Sequence, residues 1–122
     1  MVTQFGNTSI GYKALSTGNG GGTTAIGAGA LENSTLGFES VALGNRAGQN
    51  ANGSANVIIG KDAMNSGATV LSNTGNSNVV IGHTALRNNV TGSDNVVIGR
   101  SALFNGDNHN QVTAIGSQIS LS

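Results

Sequence analysis

A short motif of apolar residues recurs seven times along the chain. It usually consists of a polar residue, two small or β-branched residues, an Ile or Leu, and a Gly, as in residues 78–82. In six copies an Ala stands three residues beyond the Gly, and Leu or Met usually follows it. The motif Gly occupies positions 11, 27, 44, 60, 82, 99 and 116, with spacings of 16, 17, 16, 22, 17 and 17 residues. Such self-similarity predicts a repeat architecture.

Each motif is too short for a helix, which needs about 10 residues or more. Residues 78–81 and 95–98 are β-branched and end at Gly, so they predict strands of about four to five residues. A second short strand is predicted over the Gly-x-x-Ala-Leu part. Each strand would pair with its equivalent in the next coil, about 4.8 Å away. We therefore predict an all-β fold, a parallel β-solenoid of about seven coils over residues 7–119, with a lead-in at 1–6 and a tail at 120–122.

Alternate strand residues face opposite sides, so the motif's Ile or Leu shares a face with the residue two before it. The residue between them is Ser9, Ala25, Ala42, Ile58, Val80, Val97 or Ala114. Both faces are mainly apolar, which predicts that one packs inside the coil and the other against a partner. The expected structural repeat core is Ile10, Gly11, Ile26, Gly27, Leu43, Gly44, Ile59, Gly60, Ile81, Gly82, Ile98, Gly99, Ile115 and Gly116.

The thinness of such a coil predicts association. Burial of an aliphatic side chain stabilises by about 1.5–3 kcal/mol, whereas ordering one residue costs about 1.5 kcal/mol. A coil with three or four buried aliphatics therefore falls short on its own. We predict an obligate oligomer of parallel chains arranged about an axis.

Composition and charge exclude several classes of function. The 122 residues include 20 Gly but no Pro, Cys or Trp, and five basic and five acidic residues leave no net charge. This balance lacks the basic footprint of a nucleic-acid-binding protein. No apolar run is long enough for a transmembrane helix, and residues 1–5 do not resemble a secretory signal peptide. We expect neither nucleic-acid binding nor membrane insertion of this segment, and no disulfides.

The pattern Asn-x-x-Ile-Gly-x-x-Ala-Leu resembles the head repeat of trimeric autotransporter adhesins (the YadA-like head) and similar arrays in phage and bacterial tail fibres. The resemblance covers residues 7–119, although the coils here are longer than is typical of those adhesins. It implies three chains wound as a left-handed parallel β-roll, a homotrimer. It also implies close-packed roles for the motif glycines and for the Ala residues at 14, 30, 47, 63, 85 and 102. The implied setting is a bacterial surface or a virion fibre, of which we expect this chain to be a segment.

Side chains that carry chemistry are few and scattered. The five acids do not cluster in the repeat register, so the pattern predicts no carboxylate-lined cleft. They are Glu32, Glu39, Asp62, Asp94 and Asp107. His83 and His109 lie in different coils, and we interpret Asp107 near His109 as part of a solvated connector rather than a metal pair. We therefore predict a non-enzymatic protein without cofactor, catalytic residues or metal ligands.

Side chains that contact a ligand are expected on the connectors between motifs. The candidates are Thr69, Val70, Leu71, Phe104, Asn105, Asp107 and His109. The run at 69–71 is apolar for a loop, and the alternative is that it packs on the roll or across a subunit boundary. We predict a fibre or adhesin head segment that presents loops to a host or prey surface, where a glycan or matrix protein would bind. The alternative is a purely structural spacer without a ligand.

Overall fold

The repeated motifs form seven short parallel strands in one sheet, stacked in chain order. The computed structural model describes residues 6–18, 20–66, 73–105 and 108–121. The strands are β1 (Thr8–Ile10), β2 (Thr24–Ile26), β3 (Val41–Leu43), β4 (Val57–Ile59), β5 (Val79–Ile81), β6 (Val96–Ile98) and β7 (Thr113–Ile115). Equivalent motif residues pair directly, so that Val80 lies opposite Val97 and Ile81 opposite Ile98. The predicted all-β solenoid is confirmed, with about six turns between the seven strands.

The strands contain three residues rather than the predicted four to five. The residue two before each strand has a positive φ, for example +57° at Ser77 and +60° at Asp94. This left-handed residue turns the chain immediately before the strand, because extended backbone requires a negative φ. The polar residue that opens the motif therefore lies outside the strand.

The predicted second strand over the Gly-x-x-Ala-Leu part is wrong. This part forms turns, because alternate residues adopt left-handed conformations, with φ of +56° at Thr84 and +48° at Leu86. The backbone still bonds to both neighbouring coils. The Thr84 N–H donates to the Lys61 carbonyl at 3.0 Å, and the Leu86 N–H donates to the Ala102 carbonyl at 2.9 Å. The ladder between coils thus continues without extended structure.

The interior of the coil is narrow and filled by small and medium side chains. The middle strand residues from β2 to β7, the Ala residues three after each motif Gly, and the Leu or Met after those Ala are buried. Coil 3 has Gly48 where other coils have Leu or Met, and a side chain there would meet Ile58 Cδ1 at 2.7 Å and Leu31 Cδ2 at 3.0 Å. Gly48 therefore leaves room for Ile58, the largest of the middle strand residues.

The motif glycines are stacked on one another along the solenoid. Gly82 has φ of +138°, and a Cβ built on it would lie 2.6 Å from the Gly99 carbonyl carbon. The same clash recurs from Gly11 to Gly99, each against the next coil. These positions are close-packed, and the packing that the structure shows is between successive coils of one chain.

A column of buried Asn side chains stands immediately before strands β4, β5 and β6 and bonds successive coils to one another. Asn56, Asn78 and Asn95 are fully buried. The Asn78 N–H donates to Asn56 Oδ1 at 2.9 Å, and Asn78 Nδ2 donates to the Gly92 carbonyl at 3.0 Å. Asn78 Oδ1 in turn accepts from the Asn95 N–H at 3.1 Å and from Asn95 Nδ2 at 3.0 Å. The side-chain amide of Asn78 therefore bonds to the coils on both sides of it.

One left-handed position offers a stabilising substitution. Ala55 is exposed, with φ of +59°, and Gly occupies the equivalent positions 6 and 22. A left-handed Ala costs roughly 1–2 kcal/mol, which exceeds the entropic cost of Gly. We expect Ala55→Gly to raise the free energy of unfolding by about 0.5–1 kcal/mol. Urea titration at fixed chain concentration measures this.

Ala28→Gly provides the control for that prediction, because Ala28 is also exposed but lacks a positive φ. There the change only adds backbone freedom to the unfolded chain, so it should lower stability. If the two variants lose stability equally, the left-handed strain at Ala55 is not relieved and the prediction is wrong.

Candidate functional site

The outward side of the sheet is a continuous aliphatic surface, here called the outer strand face. It consists of the first and third residues of the seven strands, because the middle residue points into the coil. Its third positions are all Ile or Leu, and its first positions are Val in β3–β6 and Thr in the other strands. Ile10 and Ile115, on the two end strands, are 58% and 64% exposed, and the Ile or Leu residues of β3–β6 are half-buried. The Ile and Leu residues that we expected in the repeat core therefore lie outside the interior of this single chain.

The outer strand face is uncovered by the elements that the structure describes. Each strand contacts only the strands of the adjacent coils, and the described sheet has no second layer. Large apolar side chains stacked in adjacent coils, about 4.8 Å apart, form one contiguous patch rather than scattered exposure. The chemistry that this surface offers is apolar packing against another surface.

Side chains of the first three coils, with Lys13, Glu32 and Arg46 among them, line a shallow groove. It has a volume of about 210 Å³ and is bordered by Tyr12, which is 76% exposed. The Glu32 carboxylate bonds to Lys13 Nζ at 3.4 Å and accepts from Gln49 Nε2 at 2.7 Å. Arg46 forms a two-pronged pair with the buried Asp62 carboxylate, at 2.8 and 3.0 Å. These pairs join successive coils, and they hold planar polar groups at the surface.

The candidate connector residues near the C-terminal end make contacts between coils. The Arg87 guanidinium lies over the Phe104 ring, 5.6 Å from its centre. Asn105 Oδ1 accepts from Asn88 Nδ2 at 3.2 Å, and the His109 carbonyl accepts from Asn95 Nδ2 at 2.6 Å. Phe104 and Asn105 thus contact side chains of the preceding coil, and His109 contacts the buried Asn95 through its backbone carbonyl.

An open concavity of about 380 Å³ adjoins Phe104 and Asn105. Leu103, Ile119 and Leu121 contribute apolar lining, and sequence reasoning did not single out Leu121 as a contact residue. Thr69, Val70, Leu71 and Asp107, also predicted as candidate contacts, lie outside the described residues. In the described ranges no group of three His, Cys, Asp or Glu side chains is placed to hold a metal ion.

A second column of glycines is a structural feature that sequence reasoning missed. These residues precede the first residue of strands β2 to β6 by four positions and are Gly20, Gly37, Gly53, Gly75 and Gly92. A Cβ on Gly75 would meet the Gly92 carbonyl oxygen, and Asn89 Nδ2 would lie 2.8 Å away. The sequence signal for this column is that a Gly stands four residues before the first residue of each of these strands. That regularity is hard to recognise because the connectors are rich in Gly throughout.

The described part of the chain holds no helix with the length and apolarity that a bilayer crossing requires. Comparison with protein-family models, with curated proteins and with solved structures finds no match to this chain. Function is therefore inferred from the surfaces of the molecule, and foremost from the outer strand face.

Proposed function

We propose that this chain is a non-enzymatic segment of a surface fibre that associates through its outer strand face into a parallel, left-handed homotrimer. The uncovered aliphatic face is the single observation that supports the proposal. A stable soluble chain rarely leaves a contiguous apolar patch exposed, and such patches mark sites of association. Oligomers of identical chains close about a rotation axis, and a straight repeat suits an axis parallel to its stack.

The dimensions of the outer strand face set the extent of the contact. Seven strands about 4.8 Å apart and three residues wide cover roughly 300 Å². A stable interface buries about 800 Å² on each partner. The contact must therefore include the residues on either side of the strands, and a ring supplies two such contacts to each chain.

Association is tested by the mass of the particle in solution. We expect sedimentation equilibrium of the purified chain to give three times the 12.1 kDa of one chain. The double variant Ile81→Lys with Ile98→Glu should remain folded by circular dichroism but sediment near 12.1 kDa. Burial of charge in an apolar contact is unfavourable, whereas opposite charges on neighbouring strands do not repel within one chain.

Leu36→Lys is the matched control for the double variant, because Leu36 is 66% exposed but lies outside the strands. It should leave the mass unchanged. A wild-type chain that is monomeric at micromolar concentration contradicts association, and an Ile81/Ile98 variant that still forms trimers places the contact elsewhere.

Attachment to a host or prey surface is the activity that we propose for the assembled fibre. The groove at Tyr12 and the concavity beside Phe104 are surfaces that a glycan or matrix protein would contact. An array of glycans and matrix proteins tests this, with Phe104→Ala and Tyr12→Ala as variants. Saturable binding that either variant weakens supports attachment.

A purely structural spacer is the second candidate, and one observation favours it. The described connector groups, such as Asn88 with Asn105 and Arg87 with Phe104, are already engaged with neighbouring coils. Contacts of this kind build the rod and leave those groups less available to a ligand. Trimer formation without binding to any member of the array would support the spacer.

A further inference from the structure

The sides of the outer strand face carry charges of opposite sign. Two residues after the strands β4 and β6 stand Lys61 and Arg100, which form the basic flank. Two residues before β3 and β6 stand Glu39 and Asp94, which form the acidic flank. All four are exposed. No acid occupies the equivalent positions on the basic side in the other coils, and no base occupies those on the acidic side.

Among the described residues, these flanking charges differ from the others in having neither an ion pair nor a ring contact. Lys13 pairs with Glu32, Arg46 pairs with Asp62, and Arg87 stacks on Phe104. By contrast, the structure gives no ion pair to the side chain of Glu39, Lys61, Asp94 or Arg100 within its described ranges. In that part of the chain, the Lys, Arg, Asp and Glu side chains without such a partner are those beside the apolar surface.

We propose that the two flanks dictate a parallel alignment of the copies, with Asp94 of one copy paired with Arg100 of the next. This inference rests on the parallel association proposed above and adds the charges that select that orientation and the polar contacts between copies. The occupant of the outer strand face is thus a second copy of this chain, running in the same direction.

Symmetry explains why the charges select one orientation. Rotation about an axis along the stack turns the outer strand face of one copy toward the next and brings its acidic flank beside the neighbour's basic flank. Reversal of one copy, face to face, instead brings acidic flank against acidic flank and basic against basic. Juxtaposed like charges oppose association, so the antiparallel arrangement is disfavoured.

Closed symmetry also fixes the height at which the flanks meet. A cyclic ring has no translation along its axis, so each coil faces the same coil of its neighbour. Asp94 and Arg100 flank the same strand, β6, and therefore meet at one level. At the level of β3, Glu39 faces the neighbour's exposed Asn45. The level alignment thus provides one ion pair and one polar contact at each boundary between copies.

Charge reversal tests the proposed pair. The single variants Asp94→Lys and Arg100→Glu place like charges together, and each should weaken association by about tenfold or more at low salt. The double variant Asp94→Lys with Arg100→Glu restores an attractive pair and should return to near wild-type association. Sedimentation equilibrium over a concentration series measures these constants, and the differences should shrink at high salt because exposed charges are screened.

Two further variants guard against trivial effects. Thr91→Lys adds a charge on an exposed connector and should leave association unchanged. The neutral variants Asp94→Asn and Arg100→Gln, combined in a double-mutant cycle, should show a coupling free energy for association between the two sites. Neither variant introduces a like charge, so repulsion cannot account for that coupling. Circular dichroism confirms that each variant is folded.

The outcomes separate this inference from the proposed function. A monomeric wild type removes both. A trimeric wild type whose single charge variants associate normally, or whose double variant stays as weak as the singles, overturns the Asp94–Arg100 pairing while the proposed fibre assembly stands. Recovery in the double variant supports it.

Discussion

Replacement of Gly82 with Ala is expected to prevent the chain from folding, whereas the same change at Gly116 should leave it folded. Both glycines end a motif and have almost the same φ, +138° and +139°. They differ in the atoms that a side chain would meet. A Cβ on Gly82 would lie 2.6 Å from the Gly99 carbonyl carbon and 3.2 Å from the Arg100 nitrogen, whereas a Cβ on Gly116 would meet only Ile119 side-chain atoms, the nearer at 3.1 Å.

The paired comparison separates backbone strain from steric exclusion. Both variants incur the strain of an Ala at a backbone conformation suited to Gly, of order 1–3 kcal/mol. Only Gly82→Ala also pushes two coils apart, because the neighbouring atoms are backbone and cannot rotate away. We expect it to lose more than about 4 kcal/mol, in the range that unfolds marginal proteins. Urea unfolding followed by circular dichroism, at equal chain concentrations, measures both.

The form of the failure is itself informative. Because the Gly82 clash lies within one chain, the variant should lose its secondary structure and not merely its ability to assemble. A glycine that contacted only another copy of the chain would instead lose assembly on substitution while the chain kept its secondary structure. A folded monomer of Gly82→Ala, or equal losses at the two glycines, would contradict the stacking explanation.

Removal of the Asn78 side chain is expected to cost about 2–4 kcal/mol, because a buried polar group left unpaired costs about 1–3 kcal/mol. Asn78→Ala leaves the Asn95 N–H without its acceptor and takes one of two partners from Asn95 Nδ2, which keeps its bond to the His109 carbonyl. The Gly92 carbonyl keeps Asn89 Nδ2 as a donor, and Asn56 Oδ1 keeps the backbone N–H of residue 78. Thermal and urea unfolding measure the loss. These groups lie at the centre of the stack, where water does not replace the missing bonds.

A graded series tests whether the hydrogen bonds carry that effect. Ser40 occupies the same column in coil 3, and its Oγ accepts from the Asn56 N–H at 3.2 Å. Asn78→Ser should therefore keep an acceptor for the Asn95 N–H and lose less stability than Asn78→Ala. Asn76→Ala is the control, because Asn76 is exposed and the only side-chain bond shown for it is from the Ser54 N–H. If Asn76→Ala and Asn78→Ala are equally harmful, the buried column is not special.

The periodicity of the sequence motif predicted the fold class, because equivalent residues adopt the same backbone geometry in every coil. Gly82 and its equivalents mark positions where two coils approach too closely for a side chain, so their spacing alone indicated a stack of coils. The alternation of Val79, Val80 and Ile81 indicated a strand with two apolar faces. These inferences are local, since they depend on a few neighbouring residues and on the constraint that every coil is alike.

The turns and the sides of the sheet were less predictable. The Gly-x-x-Ala-Leu part carries apolar residues at a spacing that suits a strand, yet residues such as Thr84 and Leu86 adopt left-handed conformations. The residue types at these positions do not indicate a left-handed conformation, because that conformation is imposed by hydrogen bonds to coils sixteen or more positions away. The second glycine column was missed because its neighbours in sequence are also Gly, Asn and Ser.

The sequence by itself determined that the chain is a parallel stack of coils and that its strands are apolar on both sides, whereas the close packing of the motif glycines is shown by the structure. Only the tertiary structure decided which side is interior. The coil is so narrow that one residue of each strand fits inside, as Val80 and Val97 do, while the larger Ile81 and Ile98 remain on the outer surface. The tertiary structure also decided which charged side chains pair within the chain, because such pairing depends on how successive coils superimpose.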